Sequence, residues 1–314
     1  MKKRNENIIL FLLTIFLLLT STITSAQNLE DADSLESFFD GFLKSQMEEY
    51  KVPGVTISVV KDGEILFKKG YGYSELENNK RVDPDKTLFR PGSVSKLFIW
   101  TSIMQLVEQG KVDLNDNVNE YLDFEIPNEI VGRDNTEDIK AITVMNLLNH
   151  NAGFEDKIKD LFVLSKEDIR PLGTYLREYM PARVYPAGRE MAYSNYGSAL
   201  AAYIVERVSG ISFNEYVEEN IFKPLNMENS TFRQPVPEEI TGESSLGFAY
   251  LNGAYQSDQF EYIQPYPVGA LSSTAEDMSK FMLAHLNKGS YQGSSILNSE
   301  TAAEIHTQSF THHD

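Results

Sequence analysis

The sequence predicts a mixed α/β (α+β) fold in which an antiparallel sheet lobe flanked by helices is interrupted by a mostly helical lobe. Three observations predict it. Two hairpin signals, Asp62-Gly63 and Asn252-Gly253, each lie within a stretch of strand character. A long apolar helix pattern follows the first hairpin and a capped helix pattern follows the second, while the segment between them is helical and rich in loops. We therefore assign residues 27–110 and 246–314 to an α/β lobe and residues 111–245 to a helical lobe of one domain.

The first 26 residues have the pattern of a secretory signal peptide. Lys2, Lys3 and Arg4 precede a nearly unbroken apolar run over residues 8–19, and small residues at 24–26 suit cleavage. The run is shorter than the ~20 apolar residues of a membrane-spanning helix. We expect a secreted, periplasmic or cell-envelope protein, and the alternative is an uncleaved N-terminal anchor. Any other membrane attachment requires the chain to continue beyond residue 314.

Periodicity predicts the elements in chain order. Apolar side chains at four-residue spacing predict an amphipathic helix over residues 33–50, followed by the strands of the first hairpin at 55–61 and 64–73. The helix predicted over residues 93–110 is apolar on nearly every face, as a buried helix is. The other predicted elements are helices at 143–148, 198–208, 213–222 and 274–286, and the strands of the second hairpin within 246–260.

The composition excludes several classes of function. A formal net charge of −18 repels phosphate backbones, so we expect no nucleic-acid partner. The absence of cysteine excludes disulfides and thiolate metal sites. No glycine-rich loop has the spacing of a nucleotide site, and the histidines form no spaced ligand set, so we expect neither a metal nor another cofactor. The histidines are His150, His285, His306, His312 and His313.

A serine lies three residues before a lysine, in Ser93-Val94-Ser95-Lys96, at the start of the predicted buried helix. Residues three apart share a helix face, so the amine can reach the hydroxyl and activate it. The helix N-terminus also directs N–H groups at the place where an oxyanion would develop. The same spacing recurs at Ser58 and Lys61, but in a predicted strand these side chains point to opposite faces. Ser93 is therefore the candidate nucleophile.

A second candidate group is Tyr193-Ser194-Asn195. A tyrosine can shuttle protons when nearby ammonium groups stabilise its phenolate, and an asparagine amide can orient Lys96 and bind a substrate carbonyl or amide. Tyr250-Leu251-Asn252 repeats the spacing, but its Asn falls in the predicted hairpin turn, which explains it.

The surroundings of these motifs resemble the serine hydrolase family of class C β-lactamases, penicillin-binding D-Ala-D-Ala peptidases, D-aminopeptidases and related esterases. The resemblance covers nearly all of residues 50–285 and appears as ordered blocks. The blocks are residues 53–61 with KGYGY at 69–73, FRPGSVSK at 89–96, ITVMNLLNHNAGF at 142–154, YSNYG at 193–197, PLNM at 224–227 and GALSSTAEDM at 269–278.

The resemblance implies a β-lactamase/transpeptidase-like fold and an acyl-enzyme mechanism. It implies that Ser93 is acylated, Lys96 activates it, Tyr193 is the general acid and base, and Asn195 binds substrate. The Tyr-x-Asn form points to the class C and peptidase branch. The substrate is then an amide or ester, namely a cell-wall D-amino-acid peptide, a β-lactam or a small ester, and the sequence leaves the choice open. We expect a monomer acting on a small molecule or a peptidoglycan peptide.

The third motif of the family, Lys-Thr-Gly or His-x-Gly on a strand facing the serine, has no match. His306-Thr307-Gln308 resembles it only in the first two letters. We therefore expect a C-terminally incomplete version of a longer hydrolase without its last strands, and loss of one oxyanion donor typically lowers the rate by ~10²–10³. The alternative is a catalytically incomplete, penicillin-binding-like protein of the cell envelope. His150 is assigned a structural role at a helix end, and Trp100 is assigned to the core.

Overall fold

A computed structural model describes residues 31–132, 139–158 and 160–311. The described residues fall into two compact units, which divide between Tyr50 and Lys51. The described part of the first unit is helix α1 (Ala32–Tyr50), which confirms the amphipathic helix predicted there. The side chain of Asp31 accepts the backbone N–H of Ser34 at 2.8 Å and so caps its first turn. The predicted signal peptide and the pair His312 and His313 lie outside the described residues, and the division into two lobes stays a prediction.

The second unit begins with a three-stranded antiparallel sheet. Its strands, in the order β1-β2-β3, are β1 (Gly54–Lys61), β2 (Glu64–Glu75) and β3 (Lys80–Arg81). Asp62 and Gly63 have φ angles of 51° and 86°, as a two-residue turn matching the strand twist requires. This confirms the first predicted hairpin. Ser58 and Lys61, the second Ser-x-x-Lys pair, lie in β1 as predicted.

The next elements lead to a buried helix. Strand β4 (Thr87–Leu88) precedes a 3₁₀ turn, Gly92–Ser95, which continues into helix α2 (Lys96–Glu108). The side chain of Phe98 is fully buried and stacks on Phe281, with 4.1 Å between ring centroids. Aromatic contacts and burial of this kind make α2 the centre of the core. The fully buried apolar residues of α2 are Phe98, Ile99, Ile103 and Leu106.

The prediction that this helix is buried on nearly every face is wrong on one side. Val94 and Leu97 are 41% and 46% exposed. Leu97 lies about one helical turn after Ser93 and therefore shares its face. The exposed side of the helix is thus the side that carries the candidate nucleophile.

The middle of the chain is helical, as predicted. Its elements are α3 (Val144–Leu148), β5 (Phe162–Val163), α4 (Leu172–Glu178), α5 (Asn195–Ser209) and α6 (Phe213–Val217). Thr143 forms a capping box with Asn146 at the start of α3. The helix predicted over residues 213–222 changes hydrogen-bond pattern midway, because α6 passes into a π-helical turn at Glu218–Phe222. Helix α5 packs against α2 and is buried along residues 196–205.

The last part of the second unit contains the second predicted hairpin. Its elements are β6 (Glu243–Ser244), β7 (Phe248–Leu251), β8 (Ala254–Ser257), β9 (Tyr262–Ile263), α7 (Ala275–Leu286), β10 (Ser290–Tyr291), β11 (Ser294–Ser295) and α8 (Ser299–Glu304). Asn252 and Gly253 form the β7–β8 turn, as predicted. Thr274 caps α7, which packs on β1 and β2. Within residues 31–132, 139–158 and 160–311, no helix combines the length and apolar character needed to cross a bilayer.

Candidate active site

Ser93 lies in a 3₁₀ turn rather than in the regular α-helical start that the sequence predicted. Gly92 has a φ of 57°, a left-handed conformation that glycine adopts readily, and it turns the chain into Ser93. In a 3₁₀ turn, side chains three residues apart are eclipsed. The Nζ of Lys96 accordingly lies 3.1 Å from the Oγ of Ser93 and donates to it. The tighter turn thus strengthens the pairing that the Ser-x-x-Lys spacing predicted.

Lys96 is a buried cation held by a backbone carbonyl. Lys96 is only 4% exposed, and its Nζ donates to the carbonyl oxygen of Val268 at 2.9 Å. Val268 ends the 3₁₀ turn Tyr266–Val268. Burial lowers the pKa of Lys96 to about 8, and the negative charge of Asp156 partly opposes this. An appreciable fraction of the amine is therefore neutral near physiological pH and able to accept a proton.

Tyr193 and Asn195 reach the same place from the start of helix α5. Ser194 is the N-cap of that helix and accepts the N–H of Gly197 at 3.1 Å, which holds its neighbours on the site side. The Tyr193 hydroxyl lies 2.7 Å from Ser93 Oγ, and its ring centroid lies 4.9 Å from Lys96 Nζ. It also donates to Asn195 Oδ1 at 3.4 Å. The structure therefore brings the four predicted site residues together.

His150 supports Tyr193 from behind. It follows helix α3 with a φ of 53°, and its Nδ1 accepts the backbone N–H of Ser194 at 3.3 Å. Its ring centroid lies 4.7 Å from that of Tyr193 and 5.8 Å from that of Trp100, with which it forms an edge-to-face contact. Burial, together with the charge of Lys96, lowers the pKa of His150 to about 4, so the ring is neutral at physiological pH. His150 therefore packs on Tyr193, the candidate general acid and base, and binds the backbone of Ser194 next to it.

Asp156 is a site residue that the sequence reasoning missed. Its Oδ1 accepts the Nδ2 of Asn195 at 3.4 Å and the Asn195 backbone N–H at 3.5 Å. Its contact with Asn195 keeps the amide oxygen of Asn195 towards Tyr193. One signal was available, because Asp156 follows the block that ends at Phe154 by two residues. The carbonyl of Val268 was also missed, because every residue has a backbone carbonyl and the sequence cannot indicate which one binds Lys96.

His306 lies elsewhere. Its Nε2 is 3.2 Å from the Nδ1 of His285, whose Nε2 is 3.2 Å from the hydroxyl of Thr101. Burial lowers the pKa of His285 to about 4, with a smaller contribution from His306. The described residues contain no group of three or more His, Cys, Asp or Glu placed to hold a metal ion. At Ser93, the hydrogen bonds to Lys96 and Tyr193 suit nucleophilic attack with proton transfer through a lysine and a tyrosine.

Comparisons with known proteins identify the family of the chain. The family model described as Beta-lactamase matches residues 39–312. The putative penicillin-binding protein PbpX of Bacillus subtilis (strain 168) is 30% identical over 234 residues, which are 72% of this chain and 53% of PbpX. Protein flp of Staphylococcus aureus (strain MW2) is 26% identical over 196 residues, which are 62% of this chain and 38% of flp.

A solved structure shows the same fold. The octameric penicillin-binding protein homologue from Pyrococcus abyssi superimposes with a TM-score of 0.70 at 27% identity, covering 86% of this chain and 60% of that one. The predicted β-lactamase/transpeptidase-like fold is confirmed. The chain spans between about two fifths and three fifths of the length of these relatives.

Proposed function

The chain belongs to the Beta-lactamase family, and from this premise we propose that it is a serine hydrolase that cleaves an amide or ester through an acyl-enzyme on Ser93. One observation carries the proposal. The Oγ of Ser93 lies 3.1 Å from a buried amine and 2.7 Å from a phenol. A serine hydroxyl becomes a nucleophile when a neighbouring base removes its proton, and these two groups are the candidates to do so.

The proposed reaction has two halves. In acylation, Ser93 Oγ attacks the substrate carbonyl while its proton passes to neutral Lys96, directly or by relay through the Tyr193 hydroxyl, and an oxyanion forms. The tetrahedral species then expels the leaving group, which takes a proton from Tyr193. In deacylation, water attacks the ester carbonyl and gives a proton to the same groups, and these groups return a proton to Ser93 Oγ as it leaves. Asn195 orients the substrate through its amide.

The substrate class within this reaction is one of three, a cell-wall D-amino-acid peptide, a β-lactam or a small ester.

We also propose that the protein is exported, on the signal-peptide pattern of residues 1–26. Expression in a host with a secretory pathway, followed by N-terminal sequencing of the product, tests it. Export with cleavage predicts a mature chain that begins near Gln27, whereas an intact Met1 in the cytoplasmic fraction would contradict it.

Covalent labelling tests the proposed nucleophile. A fluorescent penicillin and an alkyl fluorophosphonate each acylate or phosphonylate an activated serine, and peptide mapping identifies the labelled residue. We expect the label on Ser93 and its loss in Ser93→Ala. Ser58→Ala is the matched control, because it removes the serine of the other Ser-x-x-Lys pair and should leave labelling unchanged.

The alternative, a binding protein without catalysis, makes the opposite prediction. It expects ligand binding to be the same in Ser93→Ala and no turnover of any ester or D-amino-acid peptide. Hydrolysis that Ser93→Ala abolishes would exclude this alternative. Absence of any label on Ser93 from both probes would exclude the serine hydrolase.

A further inference from the structure

Asp156 presents a carboxylate beside the substrate-binding amide of the site. The backbone before it is fixed, because Phe154 pairs with Arg183 in an antiparallel bridge and the N–H of Glu155 donates to the carbonyl of Ala182 at 2.9 Å. Phe154 is buried, whereas Asp156 is exposed. The chain therefore anchors the loop and places the Asp156 side chain at the surface next to Asn195.

The carboxylate of Asp156 is weakly engaged. Its hydrogen bonds to Asn195, at 3.4 and 3.5 Å, are long for a charge-assisted N–H···O bond, whose usual length is about 2.7–2.9 Å. Across residues 31–132, 139–158 and 160–311, no lysine or arginine lies within ion-pair distance of it. An exposed carboxylate with long contacts is available to a cation brought by a ligand.

The negative charge of Asp156 also acts on the catalytic groups. It opposes the fall of the pKa values of Lys96 and His150 that burial causes. Its field therefore extends over the place where a substrate lies between Ser93 and Asn195. The chain as a whole carries a formal net charge of −18, which favours the approach of cationic rather than anionic molecules.

We propose that Asp156 is a specificity-determining residue that favours acyl substrates carrying an ammonium or guanidinium group on the part of the substrate next to Asn195, an inference that rests on the proposed serine hydrolase function. The Oδ1 atom of Asp156 keeps its contact with the Asn195 amide, and the substrate cation binds the carboxylate from the solvent side. A neutral substrate of the same shape makes the same contacts with Asn195 and lacks this ion pair. The carboxylate thus discriminates between substrates by charge.

The test compares two penicillins that differ by one amino group. Ampicillin carries an amino group on its side chain and benzylpenicillin does not, and the amine is protonated at a pH of about 6.5. The measurement is the second-order rate constant for acylation of Ser93, obtained by competition with a fluorescent penicillin. The ratio of the two rate constants, compared between variants, cancels the intrinsic reactivity of each compound.

We expect Asp156→Asn to lower the preference for ampicillin by about fivefold to tenfold, the range between an exposed ion pair and a charge-assisted hydrogen bond. Asparagine keeps an oxygen that can accept from Asn195, and any effect of the variant on Lys96 changes the acylation by both penicillins and cancels in the ratio. Asp156→Lys should reverse the preference. Glu155→Gln is the matched control, since it removes the neighbouring exposed carboxylate and should leave the ratio unchanged. Raising the salt concentration from about 0.05 M to about 0.5 M should reduce the preference in the original chain and have little effect in Asp156→Asn.

The outcomes separate this inference from the function on which it rests. An unchanged ratio in Asp156→Asn and Asp156→Lys, with Ser93 still acylated, would overturn the inference alone. If folded Asp156→Asn loses acylation by both penicillins to the same extent, Asp156 only positions Asn195, and the inference is overturned. No labelling of Ser93 by the penicillins or by the alkyl fluorophosphonate would overturn the proposed function and the inference together.

Discussion

The pH dependence of Ser93 acylation should report the ionisation of Lys96. Its pKa is lowered to about 8 from a usual value of 10.5 because the amine is buried, and the negative charge of Asp156 opposes this only in part. Only the neutral amine can take the Ser93 proton. At pH 7 about 10% of Lys96 is then neutral, roughly 300-fold more than for a lysine in water. The acylation rate should therefore rise with pH and level off above about pH 8, the pKa of Lys96.

The assay is the rate of covalent labelling of Ser93 by a fluorescent penicillin between pH 5 and pH 10. Lys96→Arg is the direct perturbation, because a guanidinium stays protonated across this range. It should lower the labelling rate strongly and remove the rise of the rate with pH, here called the limb of the profile. His150→Gln is the control, since the pKa of His150, lowered to about 4, lies outside the limb. Asp156→Asn should move the limb to lower pH, because the charge of Asp156 raises the pKa of Lys96.

A limb near pH 6.5 that disappears in His150→Gln would refute this reasoning, because it would identify His150 as the base. A rate that is independent of pH in the original chain would refute it as well. A limb near 8 that survives in Lys96→Arg would show that another group accepts the proton.

Three further predictions concern the site and the core. Tyr193→Phe removes the hydroxyl 2.7 Å from Ser93 but keeps the ring packed on His150, so acylation should fall by about 10²–10⁴ while the thermal midpoint changes little; equal labelling rates would contradict a proton-transfer role. Phe98→Ala, in a fully buried side chain, should lower the free energy of unfolding in urea by about 3–5 kcal/mol, and a loss below about 1 kcal/mol would contradict the central position of α2. Burial lowers the pKa of His285 to about 4, so this side chain is protonated at a higher pH in the unfolded chain than in the folded one. The free energy of unfolding should therefore fall by at most about 3 kcal/mol as the pH falls from 6.5 to 4. Thermal unfolding of His285→Gln should show a smaller loss of stability over that window.

The sequence predicted those features whose causes are local. The turns at Asp62-Gly63 and Asn252-Gly253 require positive φ angles that Asn, Asp and Gly tolerate, and the structure forms both. Thr274 caps its helix because its hydroxyl accepts a nearby N–H, here that of Asp277 at 3.1 Å. Ser93 and Lys96 could be paired because three residues bring side chains together on any helical turn.

Features that depend on distant parts of the chain could not be predicted in this way. The π-helical turn at Glu218–Phe222 and the exposed side of α2 follow from tertiary packing, not from periodicity. The contact of Asp156 with Asn195 joins residues 39 positions apart. Val268 lies 172 positions from Lys96 and contributes a carbonyl that every residue type possesses. Sequence reasoning could therefore name the nucleophile and its partners but not the groups that set their protonation.

The contact with Val268 shows how the fold tunes Lys96. A carboxylate at this position would stabilise the ammonium form and raise its pKa, whereas a carbonyl dipole satisfies the amine with a much smaller preference for charge. The pKa near 8 corresponds to a penalty of about 3 kcal/mol on the charged lysine in the folded chain, present below pH 8 and diminishing as pH rises towards 10.5. A buried lysine that pairs with a carbonyl lowers stability at neutral pH, and the same desolvation provides the neutral amine that Ser93 requires. The surrounding apolar core, centred on Phe98, offsets that penalty and allows the fold to retain a reactive side chain.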